Sequence, residues 1–242
     1  QALIDHVDRV GGATVWSFPE APDRGERRVG PVQVAWQTEP YADDLLRTFR
    51  YTAFGALYEQ PTRGIEPGGT WDRLLAQSAA GERSRPAWAL GESGFHGLSA
   101  GKRLGAVQTV FLTAEKSEVA VLDALKRGRL YALKRTPELG LVLTEFAVAT
   151  GPSTAVSGDG LRVPAGTPLE VRVAVETTDG SAEALRVTLI RSGTVVEAWA
   201  ARTPFRAVYR EVFDGAPASV RIDVRGRAPH HLVTNPVFVA AP

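Results

Sequence analysis

The sequence predicts an α/β region followed by an all-β region, and three observations lead to that expectation. Over the first part of the chain, short apolar strands alternate with segments of helical period, the pattern of a parallel α/β layer or barrel. Near Pro137 the rhythm changes, and runs of strict period-two alternation take over. Those runs are separated by turn residues at intervals of roughly ten positions, as in a β-sandwich. We therefore divide the chain into residues 1–137 and 138–242.

Taken in order, Leu3, Ile4, Val7 and Val10 recur at helical spacing until Gly11-Gly12 interrupts them. Ala13 to Phe18 reads as a strand stopped by Pro19, and Val32 to Trp36 as another. The basic run Arg24 to Arg28, broken by Gly25 and Glu26, reads as a solvated loop. Asp43 to Arg47 is helical, Ala53 to Tyr58 a strand, and Trp71 to Gln77 a helix with Leu74 and Leu75 inward. Ala87 to Leu90 is a strand that runs into Gly91–Gly97, and Val107 to Leu112 is the next. Ser117 to Lys126 forms a helix with Val119, Leu122 and Leu125 on one stripe, ending where Gly128 tolerates positive φ. Leu130 to Leu133 closes the series. Beyond it, Leu169–Val175, Leu185–Ile190 and Ser219–Val224 alternate as strands with one buried and one wet face. Thr178-Asp179-Gly180 and Arg191-Ser192-Gly193 supply turns.

Composition narrows the function classes. The 242 residues are long enough to bury a substantial core, and 44% hydrophobic with 23% charged residues is ordinary for a globular protein. A net charge of +1 without a clustered basic stripe argues against a nucleic-acid partner. No apolar run is long enough to span a membrane. With no cysteine, disulfides and thiolate metal sites are excluded. No signal-peptide pattern opens the chain, and the lack of any methionine leads us to expect that Gln1 follows further polypeptide.

In an α/β barrel, chemistry gathers in the loops after the strands' C-terminal ends. Two segments occupy such positions, Trp16-Ser17-Phe18-Pro19-Glu20 and Gly91-Glu92-Ser93-Gly94-Phe95-His96-Gly97. Together with Gly11-Gly12, Trp71-Asp72, Leu74-Leu75, the run Ala124 to Ala132 and Thr234 to Val239, their order resembles the PHP (polymerase and histidinol phosphatase) family of metal-dependent phosphoesterases carrying an appended β-domain. The resemblance implies that residues 1–137 are the C-terminal half of a distorted (β/α) barrel and 138–242 a β-sandwich. It also implies two or three divalent cations (zinc, manganese or iron) that activate water toward a phosphoester.

Against that pattern, Phe18 stands where the family has a histidine, and Gly94 where it has the aspartate of Asp-x-His. Of the ligand positions, only His96 is retained, and three or more protein ligands are needed for a useful site. The expectation is a degenerate, non-catalytic relative used for binding or structure, with no cofactor. Phe18, Glu20, Glu92, Ser93 and Gly94 mark its pocket beside His96. His96 has a plain alternative as a hydrogen-bonding loop residue, and Glu92 as an acceptor for backbone N–H groups. Glu39 and Glu59 follow neighbouring strands and complete the carboxylates of this end.

The remaining histidines carry less. His6 reads as a surface or packing residue, and His230-His231 as a partly exposed pair pointing to opposite faces. Trp16, Trp36, Trp71 and Trp88 read as core and rim packing. Two other readings remain open: an active phosphoesterase with a shifted ligand set completed by an N-terminal half, or a cell-envelope assembly subunit acting through its sandwich. A barrel fragment beginning at Gln1 exposes a parallel edge, so a protein partner or a preceding segment is expected to cover it.

Overall fold

A computed structural model describes residues 1–100 and 103–242. The first half runs α1 (Ala2–Arg9), β1 (Val15–Trp16), β2 (Asp23–Val29), β3 (Val32–Thr38), α2 (Ala42–Arg47), β4 (Ala53–Leu57), α3 (Thr70–Ala79), β5 (Trp88–Gly91), β6 (Val107–Phe111), α4 (Glu118–Arg127) and β7 (Leu130–Lys134). The second half is strand alone: β8 (Leu141–Thr150), β9 (Ser153–Val156), β10 (Gly160–Arg162), β11 (Pro168–Thr177), β12 (Ala184–Arg191), β13 (Thr194–Arg202), β14 (Phe205–Val212), β15 (Ala218–Arg225), β16 (His231–Thr234) and β17 (Val237–Ala240).

The expected partial (β/α) barrel is not formed. Among the described residues the protein is 43% strand and 15% helix, in several separate sheets of which none closes. β1, β4 and β5 make a three-stranded parallel sheet, in the order β1-β4-β5, and β10 pairs parallel with β17 elsewhere. The following strands leave that pattern, since β6 pairs antiparallel with β7, and β7 antiparallel with β16. The reason lies in α4. A crossover helix returns the chain to a parallel neighbour by burying an apolar stripe along the sheet. Here α4 buries only Ala124, while Val119 and Leu122 are 78% and 43% exposed. It turns the chain back at the strand end instead. Its termini follow local chemistry: Ser117 Oγ accepts from Ala120 N–H at 3.1 Å, and Gly128 ends it at φ 73°.

A second correction concerns Val32 to Trp36, expected inside the α/β layer. As β3, exposed along its whole length, it pairs with β2 in a separate hairpin, and β2 contains the Arg24–Arg28 run expected to be loop. Gly30-Pro31 makes its turn, and Trp36, 43% exposed, lies across Gly25.

Two larger sheets share the main core. β8, β9, β11 and β14 form an antiparallel four-stranded sheet in the order β14-β11-β8-β9. An eight-stranded sheet is built on β10-β17-β15-β16-β7-β6, with β12 and β13 joined through β15. Val171, Val173 and Val175 of β11 and Val148 of β8 face Val220, Ile222 and Val224 of β15 across one apolar cluster. The eight-stranded sheet thus runs through residue 137, because β6 and β7 belong to it. Ser192 and Gly193, both at positive φ, make a two-residue turn between β12 and β13.

The parallel sheet and α3 cover the other face of the eight-stranded sheet. Trp71, Leu74 and Leu75 of α3 and Phe54 and Ala89 of the parallel strands share a cluster with Val107, Ala132 and Val233. Polar groups pin this contact. Buried Asn235 accepts from Ala89 N–H at 2.8 Å and donates to the carbonyls of Ala89 and Leu130 at 3.2 and 3.1 Å. The Arg221 guanidinium, 1% exposed, donates to both Asp72 oxygens at 2.8 and 2.7 Å. Ser219–Val224, expected to have one wet face, is therefore buried on both.

Candidate functional site

Parallel register brings the C-terminal ends of β1, β4 and β5 together, with Trp16 beside Phe54 and Leu57 beside Gly91. The residues that follow those ends are Ser17-Phe18, Tyr58 and Glu92, and they form one cluster. Glu92 Oε1 accepts from Ser17 Oγ at 3.0 Å, and Oε2 accepts from Phe18 N–H at 3.0 Å. Phe18 has φ 49°, a left-handed conformation costly for a residue with a Cβ. Strain of this kind persists only where neighbours overdetermine it. Here the carboxylate holds the N–H, and Tyr58 packs edge-on against the ring at 5.3 Å between centroids. Tyr41 caps the turn by donating to the Ser17 carbonyl and lies 5.4 Å from Trp16 between ring centroids.

Two glycines make room for this arrangement. A Cβ on Gly55 would stand 1.8 Å from Glu92 Oε2, so mid-strand β4 must be bare for the carboxylate to cross it. A Cβ on Gly91 would meet the Gln108 carbonyl at 2.1 Å, and there Thr109 Oγ1 bridges the Gly91 N–H and carbonyl at 3.1 and 3.0 Å. Gly55 is the sequence signal that went unread: a glycine inside an otherwise apolar strand marks a close approach.

Glu20 has a parallel task. Its two oxygens accept from the backbone N–H groups of Arg63 and Gly64 at 2.9 and 2.8 Å, while its own N–H donates to Tyr58 Oη at 3.0 Å. It ties the loop after β4 to the loop after β1. Burial raises the Glu92 carboxyl above the usual carboxylate range, against the lowering effect of the Phe18 and Ser17 hydrogen bonds. Burial likewise raises the Tyr58 phenol, and burial with the Glu92 charge raises that of Tyr41.

Above the cluster lies a cavity of about 370 Å³, with Ser17, Phe18, Thr38, Tyr41, Gln60 and His96 in its wall. Gly94 also lines it, at φ 55°, and His96 is exposed with no hydrogen-bond partner among the described residues. The structure thus brings Phe18, Gly94 and His96 to one cavity. Glu20 and Glu92 stand beneath it on backbone groups, and half-buried Ser93 is outside its wall. Glu39 is instead exposed at the base of the hairpin, paired with Arg24 at 3.0 Å, and Glu59 is exposed on the loop after β4.

These donors do not fit a divalent cation. One imidazole, that of His96, lines the cavity, beside the Phe18 ring and the bare α-carbon of Gly94. Among the described residues, no three histidine, aspartate or glutamate side chains are grouped to hold a metal. The cavity's wall is aromatic and neutral polar, suited to hydrogen bonding and ring stacking with a small molecule.

The other histidines lie away from this cavity. His6 is exposed. His230 and His231 point apart but are more buried than expected for a turn: His230 Nδ1 lies 2.6 Å from Glu183, and His231 Nε2 2.8 Å from Asp223. Of the tryptophans, Trp71 and Trp88 are core. Among the described residues, no helix is long and apolar enough to cross a membrane. No protein-family model matches the chain, and no curated protein matches it.

Proposed function

We propose that the chain is a binding module without catalytic chemistry of its own, and that residues 91–97 are a relic of a metal motif like that of the PHP phosphoesterases. The observation that carries this reading is the employment of Glu92. Its two oxygens hold the Ser17 hydroxyl and the Phe18 N–H, so this carboxylate serves the turn after β1 and not a ligand. Glu20 does the same for Arg63 and Gly64. What replaces the lost ligands is a preorganised cavity with His96, Tyr41, Thr38 and Gln60 as hydrogen-bonding groups around a small polar molecule.

The test is metal content and turnover. After equilibration with zinc, manganese or iron(II) and removal of excess, the protein is expected to retain no stoichiometric metal and to leave a generic phosphodiester uncleaved. Stoichiometric metal with turnover that disappears in His96→Ala would overturn the reading.

A further inference from the structure

A second cavity, of about 420 Å³, lies on the far side of Gln60, whose side of the loop after β4 is common to both. Its wall combines that loop with Lys134 at the end of β7 and the β15–β16 turn, and its charged groups are Arg63, Lys134 and Arg225 with Glu59 and Glu66. We infer that this cavity is a binding site for a small oxyanion, a carboxylate or phosphate group held between the Lys134 ammonium and the Arg63 guanidinium.

The case rests on which charges are already engaged. Arg225 donates to Asp223 at 2.9 Å and to Glu66 at 2.6 Å, and His231 reaches the other Asp223 oxygen at 2.8 Å. Glu66, in the wall, and Asp223 behind it are therefore both paired with Arg225. Lys134 and Arg63 are not used in this way. Among the described residues neither has a carboxylate within ion-pair distance, and the Lys134 ammonium donates only to the Glu59 carbonyl, at 3.2 Å. Exposed Glu59 also acts on Lys134 through its charge, but burial outweighs it and lowers the lysine pKa. A half-buried ammonium held by a neutral carbonyl gains most from an incoming anion, because a charge-assisted bond replaces a weak one. Arg63 adds the forked donor that suits two oxygens of one anion. Its backbone is fixed for the purpose by Glu20, which accepts the Arg63 N–H at 2.9 Å. Deeper in the wall, His230 gives Nδ1 to Glu183 and leaves Nε2 buried without a partner among the described residues.

The experiment is calorimetric titration of the whole chain with inorganic phosphate and, separately, with succinate, at constant ionic strength. Saturable binding of roughly millimolar strength is expected for at least one of them, and the arm that binds identifies the source of the oxyanion. Lys134→Gln and Arg63→Gln should each weaken it by about tenfold, the worth of one charged hydrogen bond. Unchanged circular dichroism would show that these variants fold. His96→Ala should leave it unchanged, which separates this site from the cavity beneath His96. No saturable binding of either anion, or equal binding by wild type and the Lys134→Gln/Arg63→Gln double variant, would overturn the inference.

Discussion

On one face of β15, Val220, Ile222 and Val224 enter the apolar core between the two large sheets; on the other, Ser219, Arg221 and Asp223 are buried polar groups, and Arg221 reaches Asp72 of α3 and the Ile65 carbonyl of the loop after β4. Both faces are shut from water, yet they are held differently. The apolar face gains from area and shape, which tolerate small changes. The polar face is a set of directional bonds. Arg221 grips Asp72 with two donors, gives a third bond to the Ile65 carbonyl at 2.9 Å, and lies 4.7 Å over the Trp71 ring. A slide of the parallel layer by one residue would break all of these together, whereas an apolar face would re-pack. The polar face therefore sets where the candidate site sits against the sandwich.

The largest expected effect follows from that contrast. Asp72→Ala leaves a buried guanidinium without its counter-charge and should cost about 3–5 kcal/mol in urea unfolding, against roughly 0.5–1.5 kcal/mol for Ile222→Val on the opposite face. Replacing both partners, Asp72→Leu with Arg221→Met, should recover most of the loss, because the penalty belongs to the orphaned charge. Equal costs for Asp72→Ala and Ile222→Val would erase the distinction between the faces.

A subtler prediction compares one carboxylate from each region. At the site, burial raises Glu92 above its ordinary value of 4.5, despite its hydrogen bonds from Phe18 and Ser17. The folded protein then holds the proton more tightly than the unfolded chain, so this contribution is fully present below pH 4.5 and is lost as pH rises through the folded pKa. On β15, burial pushes Asp223 upward too, but the hydrogen bonds and charges of His231 and Arg225 outweigh it and hold the group below 3.8. Its contribution is present above pH 3.8 and is lost as pH falls through the lower folded value. Unfolding midpoints across pH should show wild type gaining on Glu92→Gln as the solution is acidified from neutrality, and losing ground to Asp223→Asn at the acid end. Differences that move in the same direction would show that the two carboxylates do not inhabit contrasting environments.

How much of this was legible in the sequence depended on how far apart the cooperating residues lie. Ser117 and Gly128 mark the ends of α4 because caps act within a few residues, and Ser192-Gly193 marks a turn for the same reason. The two segments at the candidate site could be paired because both follow apolar strands, and the Ser17–Glu92 bond joins them. Strand order was not legible. Alternating strands and helices look alike whether the next strand is parallel or, as with β6 and β7, antiparallel. Nor was the second burial of β15, since period-two alternation reads the same when its polar side meets water and when it meets Asp72, 149 positions away. The β2–β3 hairpin was missed because an arginine-rich run carries no apolar alternation to reveal a strand.

The smallest expected effect bears on α4, the helix whose apolar stripe suggested a barrel. Burial against a sheet would make Val119 a core residue, and its truncation to a polar side chain would cost several times the price of a surface change. At 78% exposure it has little apolar contact to lose. Valine and serine also differ little in helix propensity. Val119→Ser should therefore move stability by no more than about 0.5 kcal/mol, as at an ordinary surface position. A loss well above that, read from the same urea curves, would mean that α4 lies against a surface in solution and that the parallel layer is more enclosed than the sandwich contact alone makes it. A null result keeps the helix as a return at the end of the sheet, stabilised by its Ser117 and Gly128 ends and by the Lys126 carbonyl, which accepts from Trp88 Nε1 at 3.0 Å.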